Sequence, residues 1–209
     1  PKLPGSSTNS VNGLIIKWYR LHGRKLPWRA TQDPYSILVS EVMLQQTQVD
    51  RVIPLYGRFL LAFPTLQDLA IASTREVIQA WQGLGHYRRA VRLHQLAKII
   101  TTEMQGIIPS NAEELIKLPG IGKYTAAAVA CFAFNQQIAA IDVNVSRVLH
   151  RVLGKRPQSK SSSPPKDFSN LIDEMLPEGV AAEWNQAIMD IGAMFCKKGH
   201  TMRKTNFWD

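Results

Sequence analysis

Two carboxylates lie in settings that could give each of them a chemical role. Glu41 stands in the apolar stretch ILVSEVMLQQT, and Asp142 comes directly before VNVSRVL, a segment typical of a helix. A glutamate among apolar neighbours usually faces solvent. If Glu41 instead faces a cleft, the loss of hydration favours its protonated form, which can donate a proton. Asp142 suits the N-cap of the following helix, where backbone amides keep a carboxylate ionised and able to stabilise a cationic sugar or assist an attacking water.

The stretch LPGIGKYTAAAV, which begins at Leu118, predicts two helices joined by a tight glycine turn. Glycine accepts a left-handed backbone and has no side chain that would block a close approach. The amides of Gly120, Gly122 and Lys123 can therefore point outward at the start of the second helix, and a helix N-terminus favours an anion. A phosphate of the DNA backbone is one such anion. The same pattern also fits an ordinary helical hairpin packed in a core.

Helical periodicity dominates the rest of the chain, and we expect an all-α fold. Gly, Pro and capping residues such as Ser73 and Asn111 mark the breaks between helices. Residues 138–141 are the only strand-like stretch, and they are too short to build a sheet. Residues 1–10 are predicted to be a flexible N-terminus and 154–167 a loop. Helices are predicted at 11–21, 34–47, 50–62, 65–70, 73–80, 87–105, 112–117, 124–134, 143–153, 168–175 and 183–195.

The composition indicates a folded, basic protein. The chain has 209 residues and a formal charge of +9, with a pI of about 9.8. A charge this high favours a polyanionic partner such as nucleic acid, although a solvated basic surface would give the same value. Only two cysteines are present, Cys131 and Cys196, which argues against a disulfide scaffold. We find no apolar stretch of membrane length and no signal-peptide pattern, so we expect an intracellular protein, in the cytoplasm or nucleoid, or in the nucleus of a eukaryote.

Several motifs in order along the chain resemble a known superfamily. LPGIGKYTAAAV followed by IDVNVSRVL resembles the helix-hairpin-helix and Gly/Pro…Asp signature of base-excision DNA glycosylases, the HhH-GPD superfamily. WYRLHGRKLPWR, VSEVMLQQTQV, GLGHYRRA and WNQAIMDIGAMFC are similar to its adenine DNA glycosylases of the MutY type. The resemblance implies one glycosylase domain over 11–209, with two helical lobes flanking a DNA-binding cleft: about 30–140 with the hairpin, and 11–29 plus 141–209. It also implies that the target base is flipped out of the duplex.

The resemblance assigns roles to the two carboxylates and to the base pocket. It implies that Glu41 is the catalytic acid and that Asp142 is the catalytic aspartate, a role compatible with the N-cap. Asn144 matches the pocket asparagine. Tyr124 stands where members that also cut the DNA strand carry a lysine, whose amine forms a Schiff base. A tyrosine cannot form an imine, and Lys123, one residue away on a helix, should point elsewhere, so we expect no AP lyase activity.

The resemblance also implies a set of DNA contacts. Gln45, Gln46 and Thr47 match a QQT element that lies near the flipped base and the opposite strand. His86 and Tyr87 match a loop that acts as a wedge in the duplex, where many adenine glycosylases carry tyrosine at the position of His86. Phosphate contacts are expected from Gly120, Gly122, Lys123, Thr125 and Arg88. Arg89 and Arg92 are interpreted as phosphate contacts or as plain surface charge.

Two departures from the family pattern stand out. Most members carry four cysteines that hold a [4Fe–4S] cluster, whereas only Cys196 of that set remains here, so we expect no iron–sulfur cluster and no other cofactor. The chain also stops at Asp209, before the domain that helps adenine glycosylases to recognise 8-oxoguanine. Either that domain lies outside this sequence or the opposite base is recognised in another way.

The leading prediction is a monomeric, monofunctional DNA glycosylase of base excision repair, acting on double-stranded DNA with a mismatched or damaged base. The excised base is expected to be adenine opposite guanine or 8-oxoguanine. IDVN replaces the VDGN usual in adenine glycosylases, and a thymine or uracil glycosylase acting on T:G or U:G mismatches is the alternative. A non-catalytic helix-hairpin-helix module is a third reading, against which the retention of both Glu41 and Asp142 argues.

Overall fold

The computed structural model describes residues 5–152, 172 and 175–196, with side chains from residue 11 onward. None of the described residues forms a β-strand, so the all-α prediction is confirmed. None of their helices is both long enough and apolar enough to span a bilayer. The helices are α1 (Gly5–His22), α2 (Pro34–Leu44), α3 (Val49–Ala62), α4 (Leu66–Ile71), α5 (Thr74–Ala80), α6 (Arg88–Glu103), α7 (Ala112–Leu115), α8 (Lys123–Phe134), α9 (Val143–Val152) and α10 (Ala181–Met194).

Local capping signals explain where several of these helices begin. Ser73 and Glu76 form the predicted capping box at α5, in which each side chain accepts from the other residue's backbone N–H. Asn111 accepts from the amide of Glu114 at the start of α7, as predicted. At α2, Asp33 caps a helix whose first residue is Pro34, the position where the missing N–H of proline costs nothing.

Some helix boundaries differ from those predicted. The first helix begins at Gly5 rather than at Val11, so residues 5–10 belong to α1. Helix α2 stops at Leu44 instead of Thr47, because Gln46 has a left-handed backbone with φ of 57°. The predicted loop at 154–167 lies outside the described residues, as does most of the helix predicted at 168–175.

The chain divides into two compact units, and residues 25–136 form one of them. Within this unit α2 packs against α3, α6 and α8, and α6 also packs against α4 and α5. Helix α8 packs against α2, and its run Ala126–Ala130 is buried throughout; small side chains such as alanine allow a close helix contact. Phe59 and Trp81 are fully buried and meet edge to face in the core, with ring centroids 5.6 Å apart.

The other unit contains the chain up to residue 24 and from residue 137 on, a division a few residues from the expected boundaries at 29 and 141. Helix α10 packs against both α1 and α9. Trp184 is fully buried at the centre of the apolar core, and its indole N–H donates to the side chain of Asn12 at 3.0 Å. Arg24 forms a 2.7 Å ion pair with Asp190, whose side chain is completely buried. Buried polar groups in this unit therefore have partners that fix how α1 and α10 meet.

Candidate active site and nucleic-acid interface

Glu41 is buried near the end of α2. Only 4% of its surface is exposed, and the neighbouring Ser40 and Val42 are buried as well. Glu41 therefore does not face solvent, as most glutamate side chains do. Burial takes water away from the carboxyl group, which disfavours the charged form and suits a proton donor.

The QQT element is a turn and not the end of a helix. Gln46 is exposed and adopts the left-handed conformation, while Gln45 and Thr47 are half-buried. The side-chain amide of Gln45 lies 3.5 Å from the hydroxyl of Thr125 in α8. This turn thus presents Gln46 to solvent and directs Gln45 back against the helix that follows the hairpin.

The loop before α6 presents the predicted wedge residues. His86 has a left-handed backbone with φ of 46°, and both His86 and Tyr87 are exposed. The preceding Gly85 also has a positive φ, of 70°, and its carbonyl accepts from the indole of Trp81 at 3.2 Å. A fixed loop base and two exposed ring side chains suit insertion into a base step.

Arg89 lies in the interior of its unit and not at the surface. Its side chain is buried, so the interpretation as a phosphate contact or surface charge is wrong, whereas Arg88 and Arg92 are exposed. The guanidinium of Arg89 lies 5.5 Å from the ring centroid of Trp81. It donates to the carbonyls of Val42 (2.9 Å), Met43 (2.8 Å), Gln45, Leu84 (3.2 Å) and Gly85 (3.3 Å) and to the hydroxyl of Thr47 (2.9 Å).

The helix-hairpin-helix forms at the predicted position, with α7 and α8 on either side of the turn. Gly120 has φ of 84°, a conformation that favours glycine, and Gly122 is the N-cap of α8 without a side-chain cap. Gly120, Gly122 and Lys123 are exposed, so the first amides of α8 are accessible to an anion. Thr125 differs, because the whole residue is buried and its side chain is not presented to a phosphate.

Tyr124 follows Lys123 in the first turn of α8. Tyr124 is half-buried, whereas Lys123 is exposed, so the two side chains have different surroundings, as expected for adjacent positions on a helix.

Asp142 caps α9, as its position before the helix predicts. Its Oδ1 accepts from the backbone N–H groups of Asn144 at 2.9 Å and Val145 at 2.6 Å. Its Oδ2 accepts from the side-chain amide of Asn144 at 2.8 Å. The carboxylate is thus held by several donors on its own helix, and these donors fix its orientation.

Two residues of α10 support this cap, and sequence reasoning missed both. Asn185 is buried and uses its side chain to bind the backbone of Ile138 and Ala140, the segment that leads to Asp142. Gly192 lies against α9 so closely that an added Cβ would be 3.0 Å from the Cβ of Asn144. The motif WNQAIMDIGAMFC contains both residues. However, no local sequence pattern distinguishes a helix residue that contacts a distant segment from an ordinary one.

The two cysteines do not fit an iron–sulfur cluster. Cys196 is buried in the apolar core of its unit, and Cys131 is buried in α8 of the other unit. A [4Fe–4S] cluster of this kind needs four thiolates. In the part of the chain that the structure describes, no group of three or more His, Cys, Asp or Glu side chains could hold a metal.

Comparisons with known proteins agree with the fold and the motifs. A family model described as the HhH-GPD superfamily of base excision DNA repair proteins matches residues 39–174. The adenine DNA glycosylase of Mycobacterium tuberculosis is 40% identical over 183 residues, which are 87% of this chain and 60% of that protein. The human adenine DNA glycosylase is 40% identical over 200 residues, 91% of this chain but 37% of that protein. The chain thus spans 60% or less of the length of these two relatives.

A solved structure of a thermostable thymine-DNA glycosylase is also similar. It superposes with a TM-score of 0.84 at 30% sequence identity, over 92% of this chain and 88% of that chain. The agreement extends over nearly all of both chains, and it shows that the helices are arranged as in a glycosylase fold.

Proposed function

The chain belongs to the HhH-GPD superfamily of base excision DNA repair proteins, and from this membership we propose that it is a monofunctional DNA glycosylase that excises adenine opposite guanine or 8-oxoguanine. The observation that carries the proposal is that each unit contains one of the two carboxyl groups that the chemistry needs: the buried acid Glu41, and Asp142, which accepts from the amides of its own helix. The preference for adenine is supported by the 40% identity to adenine DNA glycosylases over most of this chain.

The two carboxylates divide the chemistry of the glycosidic bond. Glu41 donates its proton to a ring nitrogen of adenine, so that the base departs neutral with the bonding electron pair. The positive charge that develops on the sugar is stabilised by the carboxylate of Asp142. Water then adds to the sugar and releases a proton to solvent, and Glu41 takes up a proton again, which leaves an abasic site and free adenine.

The remaining site residues bind DNA. The exposed amides of the hairpin, at Gly120 and Gly122, together with Lys123 and Arg88, contact backbone phosphates and position the duplex. Exposed Gln46 and His86, with Tyr87, act at the base step from which adenine is flipped. Asn144 orients the carboxylate of Asp142 and contributes to the pocket.

We assign no lyase step to this enzyme. Strand cleavage by the lyase route needs an amine that attacks the sugar, and Tyr124 carries a phenol. Lys123, the adjacent amine, is exposed and belongs to the proposed phosphate contacts.

We also propose that the chain works without an iron–sulfur cluster, because it holds only two cysteines, one in each unit.

The test is a single-turnover assay on a labelled duplex with one A:8-oxoG pair. The strand is expected to break only after treatment with alkali, because excision alone leaves an uncut abasic site. Borohydride added during the reaction is expected to trap no covalent complex. Asp142→Asn serves as the inactive control. Strand breaks without alkali, or a trapped protein–DNA adduct, would contradict the monofunctional assignment.

A further inference from the structure

Two exposed turns of the 25–136 unit contain non-glycine residues with a left-handed backbone. Gln46, at φ of 57°, is in the turn after α2, and His86, at φ of 46°, is in the loop before α6. Such residues are uncommon and strained, and they persist only where the surroundings hold them. Both residues are exposed, so the restraint has to come from backbone carbonyls and neighbouring side chains.

One buried side chain binds the backbone next to both of these residues. Arg89 donates to the carbonyl of Gln45, directly before Gln46, and to the carbonyl of Gly85, directly before His86. The same guanidinium also donates to the hydroxyl of Thr47 at 2.9 Å, on the other side of Gln46. The two turns, far apart in sequence, are thus connected through the donors of a single group.

The guanidinium also caps the C-terminal end of α2, by donating to carbonyls of its last turn. The ends of α6 and α8 are closed by amides from the residues that follow, Gly106 and Gln136, which donate to Ile100 and Ala130. At the end of α2 the carbonyls of Val42 and Met43 accept instead from Arg89. These two residues directly follow Glu41 and begin the segment that runs into the QQT turn.

The oxygens around this cation are carbonyls and one hydroxyl. Burial lowers the pKa of Arg89, and the ring of Trp81 lies 5.5 Å from the guanidinium. Bringing a cation into this setting costs desolvation energy, which a well-packed apolar side chain would not incur. Only the planar fork of arginine offers several donors in fixed directions, so a lysine could not make the same set of bonds.

On the basis of the proposed function, we propose that Arg89 is a positioning residue: it fixes the turn of Gln46 and the loop of His86 as one DNA-reading element. Arg89 itself does not contact DNA, because its side chain is buried under both turns. Its loss should therefore impair recognition of the target site more than it impairs non-specific attachment to DNA.

The experiment compares Arg89→Lys with Leu93→Ala, a control that weakens the same helix. Leu93 lies one turn further along α6, is 1% exposed and has no part in either turn. The readout is a selectivity ratio: the dissociation constant for an undamaged duplex divided by that for a duplex of equal length with a tetrahydrofuran abasic-site analogue. Thermal unfolding is measured in parallel.

We expect Arg89→Lys to reduce this ratio about tenfold or more, as the loss of charged hydrogen bonds implies. Leu93→Ala should lower the unfolding temperature but leave the ratio within about twofold of the wild type. Arg89→Ala should recover part of its selectivity when guanidinium ion is added, and not when sodium chloride is added at equal ionic strength. Thr47→Val keeps the shape of the side chain but removes the hydroxyl that accepts from Arg89 at 2.9 Å and lies 3.5 Å from the carbonyls of Gln45 and Leu84. It should lower the ratio less than Arg89→Lys.

The proposal is overturned if Arg89→Lys keeps the wild-type ratio, or if Leu93→Ala loses as much selectivity at an equal loss of stability. Should Arg89→Lys fail to fold, Thr47→Val decides, and an unchanged ratio in that variant overturns the proposal. Because binding to the analogue needs no base excision, these results are independent of the adenine assay. An absence of excision by the wild type would contradict the proposed function alone.

Discussion

Asn144 donates two hydrogen bonds to the carboxylate of Asp142, one from its backbone N–H to Oδ1 at 2.9 Å and one from its side-chain amide to Oδ2 at 2.8 Å. The backbone hydrogen bond is part of the cap of α9, whereas the side-chain hydrogen bond only holds the carboxylate. The structural and chemical roles of this carboxylate can therefore be separated by substitution.

Asp142→Asn removes the charge of the carboxylate but keeps a good helix cap, since asparagine is nearly as favourable as aspartate at that position. Thermal unfolding should change little, and binding to duplex DNA should remain. The single-turnover rate of adenine excision should fall on the order of 100-fold to 1,000-fold, as the loss of one preorganised electrostatic partner implies. A variant with near wild-type excision would exclude Asp142 from the chemistry.

Asn144→Ala removes the side-chain bond to Oδ2 and retains the backbone bond to Oδ1. The excision rate should fall about tenfold, the effect expected for one hydrogen bond to a charged group. Val143→Ala is the matched control, because Val143 is adjacent, 66% exposed and outside the proposed machinery. Equal rates for the two variants would mean that Asn144 does not orient the carboxylate.

Glu41→Gln keeps the size of a buried side chain and abolishes its ability to donate a carboxylic proton. Adenine excision should slow by about 100-fold or more, within the range that general acid catalysis contributes. Ser40→Ala is the control on the same helix, since Ser40 is equally buried but bonds only within α2, to the carbonyl of Ile37 at 2.7 Å. If both variants excise adenine at similar rates, Glu41 is not the acid.

Gly192→Ala tests the contact between α10 and α9. The new methyl group would be 3.0 Å from the Cβ of Asn144 and 3.2 Å from its carbonyl oxygen, and overpacking of this kind costs about 1–3 kcal/mol. We expect both the unfolding free energy and the excision rate to fall. Gly13→Ala, in α1 of the same unit, has no atom within 4 Å of the added Cβ and should stabilise the chain by about 0.5–1 kcal/mol. If Gly192→Ala excises adenine at the wild-type rate, the contact between α10 and α9 does not position Asp142 and Asn144 for the reaction.

The features that could be predicted from the sequence are those determined over a few residues. The helices follow from apolar periodicity, and the caps at Ser73, Asn111 and Asp142 follow from side chains that reach amides one turn away. The glycine hairpin was predicted for the same reason, since Gly120 needs a conformation that other residues avoid.

The features that could not be predicted depend on contacts between distant segments. Arg89 is interpreted from the sequence as a phosphate contact or surface charge, although it lies four residues before Leu93 and seven before Leu96, on the buried face of α6. That periodicity was a usable signal. No sequence signal predicts the left-handed backbone of Gln46, because this conformation depends on a guanidinium from another helix. The roles of Asn185 and Gly192 likewise appear only when α10 is packed in place.

The central claim, excision of adenine, is tested most directly on a panel of labelled duplexes that contain A:8-oxoG, A:G, T:G and U:G pairs. Each duplex is incubated with enzyme in single turnover and then treated with alkali, and the released base is identified by mass spectrometry. We predict release of adenine from the A:8-oxoG and A:G duplexes, at rates well above any release from T:G or U:G. Release of thymine or uracil without release of adenine would contradict the claim, as would DNA binding without release of any base.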